Sequence, residues 1–356
     1  MNERNLLNHI DFRVTLLMLY KGQVVIDDVL AEVLRLLSEK GSLLAACRGL
    51  GLSYSRIWEK IAKVERILGH KLIIAKRGGK GGGGATLTPL ARRLLKLYYN
   101  AMEKIKPCSD FLGHIVEIKK PPPDITIIGS HDLLLEHMIG GIREAGFSDI
   151  EVHWTGSLGG LAAIILGEAD IAGIHLYDIH TKTYNLPFIE RFMLKDRVVL
   201  VEGYKRELVF AYRDHLHVES VDDILKMLKE GKLTLANRNV GSGTRLFLET
   251  LLKQYGISTD HIKGFETEYH THFETVSAVA SGKADICLTL RYLAEMYGLE
   301  SVHVTWEDYD FIIPRDRLNK ESIKLFIEVL KRYYSKINKY KGYIAKQNMG
   351  KIKAMT

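Results

Sequence analysis

Three short stretches pair glycine with a hydroxyl residue where an apolar run gives way to a helical one. They are Gly129-Ser130, Gly156-Ser157 and Gly241-Ser242-Gly243-Thr244-Arg245. A helix N-terminus carries unpaired N–H groups with the helix dipole behind them, which suits an anion. Serine and threonine hydroxyls add donors, and glycine lets the backbone come close. If the three junctions converge, they surround a small oxyanion; taken singly, each serine is also an ordinary N-cap. His175 (GIHLYD) and His272 (YHTH) are expected beside the same cleft as hydrogen-bonding contacts. H-x-H pairs occur at His215/His217 and His270/His272. In a strand both rings of such a pair share a face, and Glu268 and Glu274 would join the second pair there. No cysteine accompanies either pair, so no metal is assigned. The sequence has no P-loop, no GxGxxG and no nucleophile–base motif, so no catalytic residue is named and no enzyme is expected.

These residues must be held by the elements around them. From Asp124 onward apolar β-branched runs (ITIIG, IEVHWT, LTLANR, ADICLTL, FIIP) alternate with helical patterns such as SLGGLAAIILG and SGTRLFLETLLKQYG. That alternation predicts α/β layers, whose ligands bind at the carboxyl ends of strands. A helix runs through a G-E/K-A-D turn into a strand twice, at Gly167–Asp170 and Gly282–Asp285, which predicts two lobes with the cleft between them.

The N-terminal part has a different character. Residues 41–106 hold 14 Lys/Arg against Glu59, Glu65 and Glu103, whereas residues 121–356 hold 29 Lys/Arg and 32 Asp/Glu. A compact basic module beside a near-neutral one is the footprint of a nucleic-acid binder with a separate second function. Helices are expected over VLAEVLRLLSEK, ending at Gly41, from Leu43 to about Arg48, and over YSRIWEKIAKVERIL, capped by Ser53 and ended by Gly69. A short helix, a glycine-containing turn and a longer helix make a helix-turn-helix. Ser53, Tyr54, Ser55 and Arg56 at the start of the second helix are placed to meet base edges, and Lys60 and Lys63 to meet phosphates. Strands at KLIIAKR and ATLT flank RGGKGGGGA, a run of six glycines whose Arg77 and Lys80 would reach the DNA backbone or minor groove as a wing tip. The helix from Pro89, with Leu90, Leu94, Leu97 and Tyr98 on one stripe, is equally readable as a dimer seam or a core helix. KKPPPD (Lys119–Asp124) marks the junction. The division is therefore residues 1–106 for DNA binding and dimerisation, 107–123 as linker and 124–356 for ligand sensing. Three isolated cysteines and no long apolar span indicate a cytoplasmic chain without a membrane segment.

Residues 25–105 resemble the winged helix-turn-helix of the ModE-type molybdate-responsive regulators, which are related to the LysR-type regulators. The marks are the SY–W spacing, the GGKGGGGA tip and the LT–P–R–L–LY start of the next helix. Residues 124–315 are similar to periplasmic-binding-protein-like (type II) domains of cytoplasmic regulators and of some molybdopterin-biosynthesis enzymes. The marks there are TGSLGGLAAIILGEADIAGIHLYD and LANRNVGSGTRLFLETLL. This departs from the small β-barrels that usually follow a ModE-type DNA-binding domain. The resemblance implies an α/β transcriptional regulator that binds double-stranded DNA as a homodimer, with pairing into tetramers left open. It implies no cofactor, and a small anionic ligand such as molybdate, tungstate or a related metabolite. The competing implication is an enzyme or accessory protein of molybdopterin-cofactor biosynthesis. On the wing reading, Lys80→Ala is expected to weaken binding to specific and random DNA alike. A salt titration should then show the log–log slope flattened by about one unit.

Overall fold

The computed structural model describes residues 15–79, 82–105, 122–214, 216 and 218–353. They divide into two compact units, one up to Pro122 together with Leu166–Glu168, the other from Pro123 to Ile165 and from Ala169 onward. Residues 107–121 of the proposed linker lie outside the described residues.

The first unit opens with an antiparallel hairpin of β1 (Met18–Tyr20) and β2 (Gln23–Ile26). Helix α1 (Asp28–Lys40) starts at Asp27, whose carboxylate accepts from the Leu30 N–H, and stops at Gly41 in the left-handed region. Ser42 caps α2 (Leu43–Gly49), and Ser53 caps α3 (Tyr54–Leu68), which ends at left-handed Gly69. The turn between α2 and α3 passes through Gly51 at φ +64°, a conformation that favours glycine. Leu30, Leu34, Leu37, Leu44, Ile57 and Ile61 make the apolar centre of these helices. Strands β3 (Ile73–Gly79) and β4 (Gly82–Leu87) then pair antiparallel, and Thr88 caps α4 (Pro89–Ile105) by accepting from Ala91 N–H at 3.2 Å. The elements expected from sequence here are therefore present. At the base of the hairpin the Ala85 N–H donates to the Gly41 carbonyl at 2.7 Å. A Cβ on neighbouring Gly84 would lie 2.6 Å from that same oxygen.

The second unit begins with β5 (Ile125–Gly129), α5 (Leu133–Glu144), β6 (Ile150–Trp154), α6 (Gly156–Leu166) and β7 (Ala172–Ile174). The short strands β8 (Tyr177–Asp178) and β9 (Thr183–Tyr184) and helix α7 (Leu186–Arg191) follow. Next come β10 (Val198–Tyr212), α8 (Val221–Lys229), β11 (Leu235–Arg238), α9 (Gly243–Gln254), β12 (Glu268–Tyr269), α10 (His272–Ala280) and β13 (Ile286–Leu290). The unit closes with α11 (Arg291–Met296), β14 (Glu300–Pro314), α12 (Glu321–Tyr333), β15 (Tyr343–Ala345) and β16 (Ile352–Lys353).

Strands β10 and β14 pair antiparallel along nearly their whole length, from Val198↔Pro314 to Tyr212↔Glu300, with register shifts at 201/204 and 208/209. One end of this ribbon, Leu208–Tyr212, pairs with β13, which continues into β11 and β12. Toward its other end, Asp310–Ile312 pairs with β7, and β5 pairs in parallel with β6. Two lobes therefore share two continuous strands, and the irregular register falls where the strands pass from one lobe to the other. Irregular pairing locally weakens and twists a ladder, which suits a place where it bends. The α/β two-lobed expectation is met. The extended run that a shared face at YHTH would need does not form: Thr271 N-caps α10, so the chain turns helical at His272 and the shared-face geometry of the second H-x-H pair is lost. His215 and His217 lie outside the described residues.

Candidate functional site

In the first unit the start of α3 presents Ser53, Arg56 and Lys63 as exposed side chains, with Ser55 half-buried. Tyr54 departs from expectation. It is fully buried and stacks on Trp58 one helical turn later, with ring centroids 6.3 Å apart, so it packs instead of facing outward. Lys60 forms an ion pair with Asp27, the cap of α1, and so ties α3 to α1. Arg77 lies in β3 with its side chain undescribed, and Lys80 lies outside the described residues.

In the second unit the glycine–hydroxyl junctions converge. The starts of α6 and α9 face each other. The Leu158 N–H donates to the Gly241 carbonyl at 3.1 Å, and a Cβ on Gly156 would lie 2.9 Å from that oxygen. Ser157 Oγ accepts from the His175 N–H at 3.1 Å. The His175 ring lies between Ser130 Oγ, 2.8 Å from Nε2, and Glu307 Oε2, 2.8 Å from Nδ1. Gly243 packs on the same histidine, where a Cβ would come within 2.7 Å of the ring. Ser242 acts as the N-cap of α9, accepting from the Arg245 N–H at 3.2 Å. Thr244 Oγ1 lies 3.4 Å from His272 Nε2, whose Nδ1 meets Thr289 Oγ1 at 3.1 Å. Arg245 goes elsewhere: its guanidinium meets Glu249 at 3.0 Å and Glu268 at 3.4 Å and lies over Phe265. It is neutralised by these partners, whereas a ligand arm would need a free charge.

The sequence reading missed the charges beneath this cluster. Arg206 and Glu307 are register partners in the middle of β10 and β14, joined by a 2.7 Å ion pair, and both are fully buried. Arg206 Nη1 also donates to Asp132 at 2.9 Å, and its guanidinium lies 4.4 Å from the Tyr309 ring centroid. Asp132 caps α5 and accepts from the Tyr204 and Tyr343 hydroxyls as well. Arg238, at the end of β11, is buried and donates to two backbone carbonyls, Tyr269 at 3.3 Å and His270 at 2.8 Å. No carboxylate among the described residues pairs with it. Its Nη1 and the Nη2 of Arg206 have no acceptor among the described residues, nor has His131 Nδ1 a partner. Burial, and then the Arg206 charge, bring the Arg238 guanidinium down to about 10. Burial depresses His272 most, with Arg238 and Arg206 adding to the effect. A partial signal for these residues was present in sequence: KRE interrupts the apolar run of β10, and Arg238 in LANRN stands three residues before the first glycine of GSGTR.

Burial opposes ionisation of Glu307, but the Arg206 charge and the hydrogen bond from His175 outweigh it and hold its pKa below the usual value. An ionised carboxylate only accepts, so His175 Nδ1 carries the hydrogen; burial disfavours a second proton on the ring, and in that neutral form Nε2 accepts from the Ser130 hydroxyl. Two guanidinium donors left over in a buried site, beside two facing helix N-termini, can hold an anion.

Residues 143–331, more than half of the chain, match the family described as the PBP superfamily domain, and the chain belongs to that superfamily. Residues 30–92 match the bacterial regulatory helix-turn-helix protein, lysR family, so a LysR-type helix-turn-helix stands before the binding-protein fold. The uncharacterized protein YvgK of Bacillus subtilis (strain 168) is 26% identical over 231 residues, covering 63% of this chain and 72% of YvgK. An alignment of that length cannot be confined to the N-terminal unit. The molybdenum-pterin-binding protein MopB of Rhodobacter capsulatus is 38% identical over 66 residues, 18% of this chain and 24% of MopB. The DNA-binding transcriptional dual regulator ModE of Escherichia coli (strain K12) is 36% identical over 67 residues, 19% of this chain and 26% of ModE. The last two likenesses lie in the helix-turn-helix region, and the chain spans only about a quarter of those relatives.

Gly243→Ala is expected to force a methyl against His175 and to destabilise the chain by about 1–3 kcal/mol in urea unfolding. Gly140→Ala, in a helix with open space around it, should leave stability unchanged or raise it by up to ~1 kcal/mol.

Proposed function

We propose that this chain is a ligand-responsive transcriptional regulator that binds double-stranded DNA through its helix-turn-helix and a small oxyanion in the binding-protein unit. The observation that carries the ligand reading is Arg238, a buried guanidinium with an unused donor and no carboxylate partner among the described residues. A buried charge is costly unless paired, and a bound anion supplies the pair. Ser157, Thr244, the glycine starts of α6 and α9, and the leftover donor of Arg206 complete the cradle. Molybdate and tungstate are the first anions to test, because the relatives of the helix-turn-helix carry molybdenum in their names. The likeness in that region says nothing of the binding unit. Ligand would favour the closed arrangement of the lobes and change DNA affinity by as much as it prefers that state.

The DNA surface is assigned to Ser53, Ser55, Arg56, Lys63, Arg77 and Lys80. Homodimerisation through α4 is supported by its exposed side: Leu97 is 58% exposed, and only Ala91 and Tyr98 of that helix are buried. No described helix is long and apolar enough to cross a membrane, and we assign the protein to the cytoplasm.

A second reading rests on Ser130, His175 and Glu307, whose two 2.8 Å links have the order of a nucleophilic triad. It would make the binding unit a hydrolase of small anionic esters.

Calorimetric titration with molybdate, tungstate, sulfate and phosphate tests the first reading, and heat is expected with at least one. Arg238→Met should abolish it. No heat with any of the four would overturn the oxyanion assignment. For the second reading, a fluorophosphonate probe should leave Ser130 unlabelled; labelling that Ser130→Ala removes would establish the hydrolase instead.

A further inference from the structure

We infer that the anion enters this site together with a proton, which His175 takes up. The inference rests on the oxyanion reading above and specifies how that site accommodates charge.

Arg238 has no carboxylate partner among the described residues, yet the summed charge of the buried set is already zero, because Arg206 engages two carboxylates. Arg206 and Arg238 supply two positive charges, and Asp132 and Glu307 supply two negative ones. An anion added to this set leaves a buried net negative charge unless something compensates, and such a charge is strongly disfavoured. Arg245 is already engaged by Glu249 and Glu268, so it offers no spare charge. The groups left to respond are the buried imidazoles. Among them His175 alone is in direct contact with both a carboxylate and a junction serine.

The groups facing His175 are Glu307 and Tyr309 from β14, Arg206 from β10, Arg238 from β11 and His272 from α10. Around it, too, are Ser130 and Ser157 and the start of α9 at Gly243. Burial depresses its proton affinity most; Glu307 opposes this, and the two arginines add to the depression. The free site therefore holds His175 neutral. An anion beside the arginines offsets their repulsion and restores the proton.

Hydrogen bonding points the same way. While His175 is neutral, the one hydroxyl hydrogen of Ser130 is spent on Nε2. Once Nε2 is protonated it donates to Ser130 Oγ instead, and the Ser130 hydroxyl is released as a donor. Protonation thus adds a positive charge and converts Ser130 from an occupied donor into a free one. The proton balance is simple: one proton leaves solvent and binds Nε2, with no covalent bond formed or broken.

The sign follows from linkage. His175 binds more protons in the liganded state, so affinity is highest at low pH. It falls by up to about tenfold per pH unit between the depressed pKa of the free site and the raised pKa of the occupied one. Calorimetry of the full chain with sulfate and tungstate, which carry no proton themselves between about pH 6 and 8, reads this directly. In two buffers of different ionisation enthalpy at one pH, the heats should differ by the uptake of close to one proton. His175→Gln should bind more weakly and without the pH slope. Equal heats in the two buffers, with binding intact, would overturn the proton uptake while leaving the anion site standing; no binding at all would instead remove the site itself. If His175→Gln proves unstable, histidine ring 15N shifts of the wild-type chain decide. Protonation appearing at His131 or His272 in place of His175 would also overturn the assignment.

Discussion

An arginine shut away from water has to be met by charge from the protein itself, and Arg206 is met from both sides. Glu307 arrives as its register partner on the neighbouring strand, and Asp132 arrives from the cap of a helix. Much of the site hangs on that arrangement. Asp132 is also the acceptor that fixes Tyr204 and Tyr343, and Tyr309 spreads its ring under the guanidinium while its hydroxyl donates to the Ser130 carbonyl at 2.6 Å. Because Arg206 helps keep Glu307 ionised, Glu307 dictates the tautomer of His175, and His175 dictates what the Ser130 hydroxyl can do. A buried ion pair of this kind contributes little net stability compared with an apolar equivalent, while losing one member is severe. Its presence makes better sense as a device that orients the groups above it.

The same pair sits in the two strands shared by the lobes. A ribbon with broken register on either side of Arg206 can flex without surrendering its whole ladder, and the charged centre stays aligned because both partners ride on it. The lobes approach through glycine at Gly156 and Gly243, where side chains would hold them apart. Tight backbone contact at the rim and fixed charge at the floor leave adjustable chemistry mainly to the hydroxyls and imidazoles between them.

Much of this was legible in sequence. One helix start announced itself through Ser53, and stops through Gly41 and Gly69, because caps are local chemistry. The junction serines and His175 were visible because glycine and hydroxyl residues cluster at strand-to-helix turns. Arg206 shows only as a charge breaking an apolar run, and its pairing with Glu307 was not legible, since it depends on the register of two strands distant in the chain, which no local pattern encodes. Tyr54 was misjudged for a related reason: its position at the exposed start of a helix is local, but its burial is decided by what packs over it. In YHTH the same letters serve a period-two alternation and a capping threonine before a helix, and Thr271 takes the second role.

The six-glycine run between Arg77 and Ala85 looks uniform in sequence and is not uniform in space. Gly84 touches the carbonyl that closes α1, so at least one glycine is committed to a joint between the hairpin and the helix scaffold. A joint of that kind fixes where the hairpin leaves the body of the unit regardless of how long its tip is. Across a lineage the run could therefore lengthen or shorten at its crest as DNA contacts change. The residue next to Ala85 would stay glycine throughout, as a hinge pin stays while the door is replaced.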